Sequence, residues 1–320
     1  MRWGVLGGSS AIANFKMFDV LASTGELVAV ASRNKARADE ARRRAGAARA
    51  YGNYAELLSD RDVDAVYIAL PNSLHGDWSI YAAEAGKSCL CEKPAFLDVD
   101  TASRVSAAVA AAGTRWMEGF MYRFLPHQRW LADGLEQEVW GAVRTVHASI
   151  GFALTDRKAS RWSFELGGGS LADLGSYAVD AVRSLAGGAA GRVVGLSTIA
   201  PEGIDVRTAA VIQFGERLGI VDCDLEAAHH QRIVLACDDA VVVVEPAFNP
   251  GPAPVRVEIK WLTGRRDVCT FPDPDPYAAM VEAFESLGRE GTERELAAAS
   301  ANAELYSAIR ANGGRHVGSV

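Results

Sequence analysis

The first 120 residues alternate between short, continuous apolar runs and longer segments of helical composition. Apolar strands separated by helices are typical of a parallel sheet that helices cover on both faces. The pattern therefore predicts a doubly wound α/β domain. We predict strands at 3–6, 27–31, 63–70, 88–91 and 114–120, and helices at 11–23, 33–46, 75–85 and 100–112.

From residue 141 onward the pattern changes to an alternation of apolar and polar positions. Such alternation marks strands with one buried face, and the short turns at 215–217 and 238–239 predict antiparallel hairpins. The alternating segments lie at 146–150, 206–214 and 255–261, with helices at 171–185, 276–287 and 293–311. We therefore predict an α+β second domain with a mostly antiparallel sheet, and divide the chain into domains at 1–122 and 123–320.

Composition and charge narrow the class of protein. Of the 320 residues, 49% are hydrophobic and 23% are charged, which is ordinary for a globular chain. The net charge of −7 argues against broad binding of nucleic acid, which needs surplus positive charge. No apolar run approaches the roughly 18 residues that cross a bilayer, and the N-terminus has no signal-peptide pattern. Five cysteines without a C-x-x-C pair indicate reduced thiols, so we expect a cytoplasmic protein with no nucleic-acid or membrane partner.

The turn after the first predicted strand is rich in glycine and serine. It consists of Gly7, Gly8, Ser9, Ser10, Ala11 and Ile12. In a dinucleotide-binding fold this turn brings backbone amides to the pyrophosphate at a helix N-terminus, so glycine recurs there. The G-x-G-x-x-G pattern is incomplete, because Ser9 and Ile12 stand at its second and third glycine positions. A plain strand-to-helix turn is the alternative, but the place of the turn directly after the first strand favours a cofactor-binding role.

The end of the second predicted strand bears on the choice of cofactor. An NAD-selective site usually carries an acid here, which binds the ribose hydroxyls. This chain has Ser32 and Arg33 instead, with Lys35 and Arg37 close behind. A guanidinium pairs with a 2′-phosphate, whereas an acid repels it. We therefore predict NADP as the preferred cofactor, with NAD as the alternative cofactor and a solvated helix face as the alternative reading of this basic run.

Two further strand ends carry polar groups suited to chemistry. Leu70-Pro71-Asn72 and then His75 follow one strand, and Glu92-Lys93-Pro94 follows the next. Ligands bind at the carboxyl edge of a parallel sheet in this fold, so both segments belong to the expected cofactor site. The alternatives are a surface Glu-Lys pair before a loop proline, and a histidine that merely begins a helix.

These motifs, taken in order, resemble those of one enzyme family. The glycine turn, Leu70-Pro71-Asn72-x-x-His75, Gly86-Lys87, Glu92-Lys93-Pro94 and the segments 117–124 and 167–177 are similar to the glucose-fructose oxidoreductase, inositol dehydrogenase and rhizopine catabolism protein family of NAD(P)-dependent oxidoreductases. The resemblance covers nearly the whole chain. It implies an N-terminal Rossmann domain and a C-terminal, open-faced, mostly antiparallel sheet, whose exposed face commonly makes the contact of a homodimer or homotetramer.

The resemblance also implies a catalytic set. The family usually combines the motif lysine with an aspartate and, four residues on, a histidine; Lys93 and Asp173 match, whereas Tyr177 stands at the third position. Tyrosine there is typical of the branch with sugar 3-ketoreductases, xylose dehydrogenases and dihydrodiol dehydrogenases, which argues against an inositol dehydrogenase. The predicted cofactor-binding residues are Gly7, Gly8, Ser9, Ser10, Ala11, Ile12, Ser32, Arg33, Leu70, Pro71, Asn72, His75, Glu92 and Lys93.

Lys93 and Tyr177 suit hydride transfer. Reduction of a ketone leaves negative charge on oxygen, so an acid must supply a proton as the hydride arrives. A lysine ammonium favours ionisation of a tyrosine and stabilises the developing alkoxide. Two structural interpretations stay open on the residues alone. Ser170-x-x-Asp173 also fits a capping box, and Tyr177 also fits the apolar stripe of its helix.

Four other residues are predicted to bind the substrate. Tyr122 and Arg123 lie in the segment that leaves the nucleotide domain, and Arg161 with Trp162 offers a polar and stacking surface for a sugar ring. His229 and His230 would point to opposite faces of a strand, which is a poor metal geometry, so we predict no metal.

The predicted function is an NADP-dependent oxidoreductase that acts on a keto or secondary alcohol group of a sugar, nucleotide sugar or cyclic diol. One alternative is a dihydrodiol dehydrogenase-like enzyme, which would need a more apolar substrate pocket. The other is a non-catalytic, NADP-binding regulator on the same fold, but a regulator has no need of the Lys93 and Tyr177 pair.

Overall fold

The chain folds into two compact units. The structure is a computed structural model that describes residues 1–249, 251, 254–272 and 275–317. The first unit comprises Met1–Met121 and Asp275–Ala303, and the second unit holds the other described residues.

The first unit contains a six-stranded sheet. Its strands are β1 (Arg2–Leu6), β2 (Glu26–Ala31), β3 (Arg49–Tyr51), β4 (Ala65–Ile68), β5 (Ser88–Cys91) and β6 (Trp116–Glu118). The strand order is β3-β2-β1-β4-β5-β6, and every neighbouring pair is parallel. The predicted doubly wound α/β fold is confirmed, and the carboxyl ends of all six strands lie at one edge of the sheet.

Five helices connect these strands: α1 (Phe18–Thr24), α2 (Lys35–Ala45), α3 (Tyr54–Leu58), α4 (His75–Glu84) and α5 (Val99–Ala112). The helix predicted at 11–23 is divided, since a π-helical turn at Ala13–Met17 precedes α1. The sequence did not predict β3 and α3, because elements of three and five residues are too short to show a period.

The closing helices contribute to the first unit. Helix α9 spans Pro276–Glu285 and α10 spans Arg289–Ala311, and residues 275–303 pack with the parallel sheet. Trp3 packs on Phe284 with ring centroids 5.3 Å apart, and its Nε1 donates a hydrogen bond of 3.0 Å to Glu285. The sequence pattern divides the chain once, between residues 122 and 123, and so places these helices in the second domain. That domain boundary stays a prediction.

The second unit contains a nine-stranded sheet. Its strands are β7 (Val143–Gly151), β8 (Val193–Ile199), β9 (Asp205–Phe214), β10 (Arg217–Asp224), β11 (His230–Cys237), β12 (Ala240–Glu245), β13 (Val255–Trp261), β14 (Arg266–Phe271) and β15 (Gly313–Val317). The order is β14-β13-β12-β11-β7-β10-β9-β8-β15, and the pairs are antiparallel except β7 with β10 and β8 with β15. The predicted hairpins, β9 with β10 and β11 with β12, are confirmed.

Helices cover one face of this second sheet. They are α6 (Pro126–Glu136), α7 (Ser170–Asp173) and α8 (Gly175–Ala186), and α8 packs against β7 and β10. Buried and accessible residues alternate strictly along β9, as the sequence pattern predicts. The other face, called the open face below, leaves five large apolar side chains exposed: Val194, Leu196, Val211, Leu218 and Val268.

Within the described residues, no helix is both long enough and apolar enough to span a lipid bilayer.

Candidate functional site

The turn after β1 lies at the carboxyl edge of the first sheet and depends on Gly7. Gly7 has a φ of +96°, a left-handed conformation that favours glycine. A Cβ at this position would lie 2.3 Å from the carbonyl oxygen of Ala69. The amides of Gly7 and Gly8 both donate to the Ala31 carbonyl, at 3.1 and 2.9 Å, which ties the turn to the end of β2. Position 7 therefore has room for glycine alone.

The residues after the two glycines are wholly or partly accessible: Ser9, Ser10, Ala11 and Ile12. The Asn14 side-chain amide donates to the carbonyl oxygens of Gly8 and Ser10, at 2.9 and 2.7 Å, and so fixes the turn. Ser9 Oγ lies 3.4 Å from Ser32 Oγ. Two of the predicted cofactor-binding segments are thus brought together at the ends of β1 and β2.

Arg33 is exposed directly after the buried Ser32. Helix α2 begins after Asn34, whose side chain accepts a hydrogen bond of 3.1 Å from the Arg37 amide. Burial raises the pKa of Tyr54, and the positive charge and hydrogen bond of Arg33 act in the opposite direction. A guanidinium that is accessible and beside a serine hydroxyl is suited to bind a phosphate monoester.

His75 is completely buried between the ends of β4 and β5. Its Nε2 lies 2.8 Å from the Leu70 carbonyl oxygen, and its Nδ1 lies 2.8 Å from the Pro94 carbonyl oxygen. Burial lowers the pKa of the imidazole below its ordinary value, although the two backbone hydrogen bonds oppose this shift. The ring joins the segments that carry Asn72 and Lys93, so its direct partners are backbone groups of those segments.

The Glu92-Lys93 pair follows β5 and is partly exposed. The Tyr67 hydroxyl of β4 donates a hydrogen bond of 2.5 Å to Glu92 Oε1, which fixes this carboxylate to the neighbouring strand. Lys87, the other lysine of the motif segment, is held at the opposite end of β5, where Nζ donates to two backbone carbonyl oxygens at 2.8 and 2.7 Å. Of the two lysines, Lys93 is therefore the one that lies at the carboxyl edge.

In the second unit, a residue of β9 caps the N-terminus of the helix that was predicted at 171–185. Asp205 of β9 accepts hydrogen bonds of 2.6 Å from both the Ser170 hydroxyl and the Leu171 amide. The N-cap residue is Gly169, and it makes no side-chain capping bond. The capping-box interpretation of Ser170-x-x-Asp173 is therefore wrong, because Ser170 already lies inside the helix and Asp205 supplies the cap.

Asp173 pairs with Arg161. Arg161 Nε lies 3.2 Å from Asp173 Oδ2, and Asp173 is almost completely buried. The arginine side chain is close to half exposed, so this ion pair joins a buried carboxylate to the accessible surface of the unit. Arg161 is thus positioned by one of the predicted catalytic residues.

Tyr177 occupies an unusual position on α8. The helix is interrupted at Leu174, and the Tyr177 amide donates to the Leu174 carbonyl at 3.1 Å. Every residue from 171 to 182 is buried except Tyr177, which is partly exposed. The apolar stripe of α8 therefore accounts for the neighbours of Tyr177, while its own ring remains accessible.

Tyr122 and Arg123, which were predicted to bind substrate, contact a buried aspartate. The Tyr122 hydroxyl donates to Asp180 Oδ2 at 2.6 Å. Arg123 donates to both carboxylate oxygens of Asp180, through Nε at 2.8 Å and Nη2 at 2.6 Å. Tyr122 is buried, so its polar group is directed to Asp180 inside the unit.

Trp162 does not offer an open ring face. The Arg157 guanidinium carbon lies 3.7 Å from the centroid of the Trp162 ring, and the indole Nε1 donates to the Leu154 carbonyl at 3.2 Å. Trp162 is also buried. The stacking surface expected for a sugar ring is therefore covered by an arginine in this structure.

Sequence reasoning missed two residues that organise the second unit. Asp205 caps α7, and Asp180 anchors Tyr122 and Arg123. Both aspartates make these contacts with residues far away in the chain, so no local sequence spacing predicts them. The i to i+3 spacing of Tyr177 and Asp180 was the available signal, since it places both on one side of α8.

The histidine pair at 229 and 230 forms no metal cluster in the described part of the chain. Asp222 on β10 accepts a hydrogen bond from the Ser149 hydroxyl at 2.7 Å and lies 2.6 Å from His147 Nε2. His230 lies at the edge of this group, 3.9 Å from the same carboxylate.

Comparison with known proteins extends these observations. Residues 1–120 match an oxidoreductase family with an NAD-binding Rossmann fold, and residues 129–243 match the GFO/IDH/MocA C-terminal domain. The D-xylose 1-dehydrogenase (NADP(+)) 2 of Haloferax volcanii is 36% identical over 89% of this chain and 88% of its own length. The trans-1,2-dihydrobenzene-1,2-diol dehydrogenase of Bos taurus is 28% identical over 81% of this chain and 79% of its own.

A solved structure matches the entire chain. The 3-ketoreductase of Actinomadura kijaniata, in complex with NADP and TDP-benzene, has a TM-score of 0.91 at 27% identity and covers 100% of this chain and 99% of its own. Other structures of that enzyme have one tyrosine replaced by phenylalanine, or one lysine replaced by alanine or glutamate. Its replaced lysine precedes its replaced tyrosine by as many positions as Lys93 precedes Tyr177 here. Because both halves are matched, this chain belongs to the glucose-fructose oxidoreductase, inositol dehydrogenase and MocA (GFO/IDH/MocA) family of oxidoreductases.

Proposed function

We propose that this protein is an NADP-preferring oxidoreductase that transfers a hydride between nicotinamide and a keto or secondary alcohol group of a sugar, nucleotide sugar or cyclic diol. Family membership supports the reaction class. The names of the relatives support the substrate range, since they include a D-xylose dehydrogenase, a 3-ketoreductase and a dihydrobenzenediol dehydrogenase.

The first unit has residues that fit a dinucleotide. The backbone cradle at Gly7 leaves no space for a Cβ, as a turn that meets a pyrophosphate requires. We assign the turn 7–12 to the pyrophosphate, and Ser32 with Arg33 to the 2′-phosphate of NADP. We assign Leu70, Pro71, Asn72, Glu92 and Lys93 to the nicotinamide end, with His75 holding their segments together from within. When bound, the cofactor supplies or accepts the hydride.

One observation carries the catalytic assignment: Lys93 and Tyr177 have the same separation along the chain as the lysine and tyrosine replaced in the 3-ketoreductase structures. We assign Tyr177 as the acid that gives its proton to the substrate oxygen during reduction, and as the base in oxidation. The Lys93 ammonium stabilises negative charge on that oxygen. Asp173, paired with Arg161, orients the reacting alcohol or ketone.

We also propose a homodimer or homotetramer formed through the open face of the nine-stranded sheet. Four of the five exposed apolar side chains on that face lie together on β8, β9 and β10: Val194, Leu196, Val211 and Leu218. Val194 pairs with Val211 across β8 and β9, so the patch is continuous from strand to strand. All five cysteines are free thiols, which supports a reducing compartment such as the cytoplasm.

The experiment is an assay of hydride transfer in both directions. NADP with D-xylose or trans-dihydrobenzenediol, and NADPH with a TDP-3-keto sugar, are followed by absorbance of the reduced nicotinamide. We expect at least one pair to turn over, and Tyr177→Phe and Lys93→Ala to lose most of kcat while still binding NADPH. Near-normal turnover in Tyr177→Phe would refute the catalytic assignment. If the protein binds NADPH but no keto sugar oxidises the bound NADPH, the alternative of a non-catalytic, NADP-binding regulator is favoured.

A further inference from the structure

Asp180 is a completely buried carboxylate that receives hydrogen bonds from three side chains. Tyr122 donates through its hydroxyl at 2.6 Å, Arg123 through Nε and Nη2 at 2.8 and 2.6 Å, and Arg183 through Nη2 at 2.9 Å. Burial opposes ionisation, but the two guanidinium groups and the tyrosine hydroxyl outweigh it and hold the pKa of Asp180 well below its usual range. The carboxylate is therefore an ionised anchor inside the second unit.

The anchored tyrosine belongs to a triangle of aromatic rings. The Tyr122 and Tyr177 centroids are 5.8 Å apart at 65°, and those of Tyr122 and Phe248 are 5.2 Å apart at 75°. Tyr177 and Phe248 complete the triangle at 5.7 Å and 49°. Two of these pairs are edge-to-face, a preferred geometry of aromatic rings, so the two buried rings define where the partly exposed third ring lies.

The buried anchor Asp180 and the candidate acid Tyr177 lie on the same helix. Tyr177 and Asp180 lie three residues apart on α8 and so occupy neighbouring positions on its surface. The anchor fixes Tyr122, and Tyr122 with Phe248 packs against Tyr177. A chain of direct contacts thus runs from a carboxylate that meets no solvent to the candidate acid.

We propose that Asp180 is a positioning residue for Tyr177, acting through Tyr122 and through the charge balance of Arg123 and Arg183. This inference rests on the proposed catalytic role of Tyr177. It also gives Tyr122 and Arg123 a role other than the substrate contact predicted from the sequence. Asp180 holds the reactive ring in one orientation, and its negative charge offsets the positive charges of Arg123 and Arg183.

Two kinds of variant separate ring packing from charge. Tyr122→Phe keeps the ring and loses the bond to Asp180, whereas Tyr122→Leu loses the ring. Asp180→Asn keeps the shape of the anchor but removes one negative charge three residues from Tyr177 on α8, and losing a negative charge favours the ionised form of a tyrosine. Ser184→Ala, on the exposed side of α8, is the matched control.

The readouts are kcat with the substrate pair found in the hydride-transfer assay, and nuclear magnetic resonance of protein labelled with ¹³Cζ-tyrosine. The Tyr177 signal among the eight tyrosines is the one absent from Tyr177→Phe. In Asp180→Asn we expect that signal to titrate at least half a pH unit lower than in the wild type. We expect kcat to fall at least tenfold in Asp180→Asn and Tyr122→Leu and about threefold in Tyr122→Phe, with the Kd for NADPH unchanged.

The outcomes distinguish this inference from the proposed function. If Tyr177→Phe turns over normally, the catalytic assignment fails. If Tyr177→Phe is inactive while Asp180→Asn and Tyr122→Leu keep a wild-type kcat and Tyr177 titration, the positioning role is overturned. Should Asp180→Asn fail to fold, Tyr122→Phe decides, because a normal kcat and an unmoved Tyr177 signal in that variant would also overturn it.

Discussion

Arg161 Nε lies 3.2 Å from Asp173 Oδ2, and the two side chains differ sharply in exposure. The carboxylate is almost completely buried, while the guanidinium is close to half exposed. An ion pair between two exposed side chains contributes at most about 1 kcal/mol to stability, but removing the partner of a buried carboxylate costs more. This pair also affects geometry, since the arginine limits the directions in which Asp173 can point.

The first prediction concerns this pair. We expect Arg161→Ala to lower kcat/KM about tenfold, equivalent to about 1.4 kcal/mol of transition-state stabilisation, and to lower the free energy of unfolding by about 1–3 kcal/mol. Steady-state kinetics and urea denaturation measure the two quantities. Arg157→Ala is the control, because Arg157 is also exposed but stacks on Trp162. A wild-type kcat/KM in Arg161→Ala would show that Asp173 needs no partner.

The second prediction concerns the cradle at Gly7. We expect Gly7→Ala to destabilise the protein by more than about 2 kcal/mol and to abolish NADPH binding, because the left-handed backbone and the Ala69 carbonyl both exclude a Cβ. Gly46→Ala is a matched control, since Gly46 has a φ of +66° with nothing within 4 Å of the added Cβ. It should cost about 1 kcal/mol and leave NADPH binding intact. Equal effects of both substitutions on binding would contradict a phosphate-binding turn.

Periodic features of the fold were predictable from the sequence, and for a simple reason. The buried positions of β9 alternate as the pattern of Val206, Ala210 and Ile212 predicts, because one face of that strand is covered by helices. Likewise, the glycine turn and the polar ends of β4 and β5 follow from the chain's local order of residue types. Local patterns report local geometry.

The partners of individual side chains were less predictable. Asp173 fitted a capping box by spacing, yet Asp205 of a distant strand makes the cap. Trp162 has an aromatic ring of the kind that stacks on sugars, yet the Arg157 guanidinium covers that ring. In both cases several residues of suitable chemistry compete for one position, and only the tertiary arrangement selects among them.

The third prediction concerns the choice between the two nicotinamide cofactors. A charge-assisted hydrogen bond contributes roughly 1.5–3 kcal/mol, so we expect Arg33→Ala to weaken NADPH binding by roughly 10- to 100-fold and to leave NADH binding unchanged. Fluorescence titration with both nucleotides measures this. Lys35→Ala is the control, because the Lys35 ammonium pairs with Asp39 at 2.5 Å and should contribute little to the cofactor. Equal or tighter binding of NADH to the wild type would contradict the assignment.

The fourth prediction concerns stability at mildly acidic pH. Burial lowers the pKa of His127 below its ordinary value of 6.5, and Nε2 lies 3.0 Å from the Ala247 carbonyl oxygen. The unfolded chain takes up the proton near pH 6.5, so it binds more protons than the folded chain below that value. The stabilisation is complete above pH 6.5 and declines as the pH falls, by up to about 1.4 kcal/mol per pH unit.

The variant His127→Gln tests whether stability falls with falling pH because of His127. Glutamine can donate to the same carbonyl without titrating, so the variant should lose less stability than the wild type between pH 7 and pH 5. Urea denaturation at several pH values measures the difference, and His75, buried in the first unit, should leave a remaining slope. A pH dependence identical to that of the wild type would mean that His127 titrates alike in both states.

The last prediction concerns the open face. Large exposed apolar patches on a sheet mark contacts with other chains, and a closed dimer uses the same patch on both copies. Leu196 and Val211 lie within this patch, so a positive charge at each position would be buried twice in a symmetric contact. We expect the double variant Leu196→Lys with Val211→Lys to sediment as a monomer at micromolar concentration, whereas the wild type sediments as a dimer or tetramer.

The control is Leu262→Lys, on the exposed turn between β13 and β14, which should leave the sedimenting mass unchanged. Because the glycine turn belongs to the other unit, the monomeric variant should bind NADPH normally; a monomeric wild type, or a double variant of unchanged mass, would exclude this face as the contact.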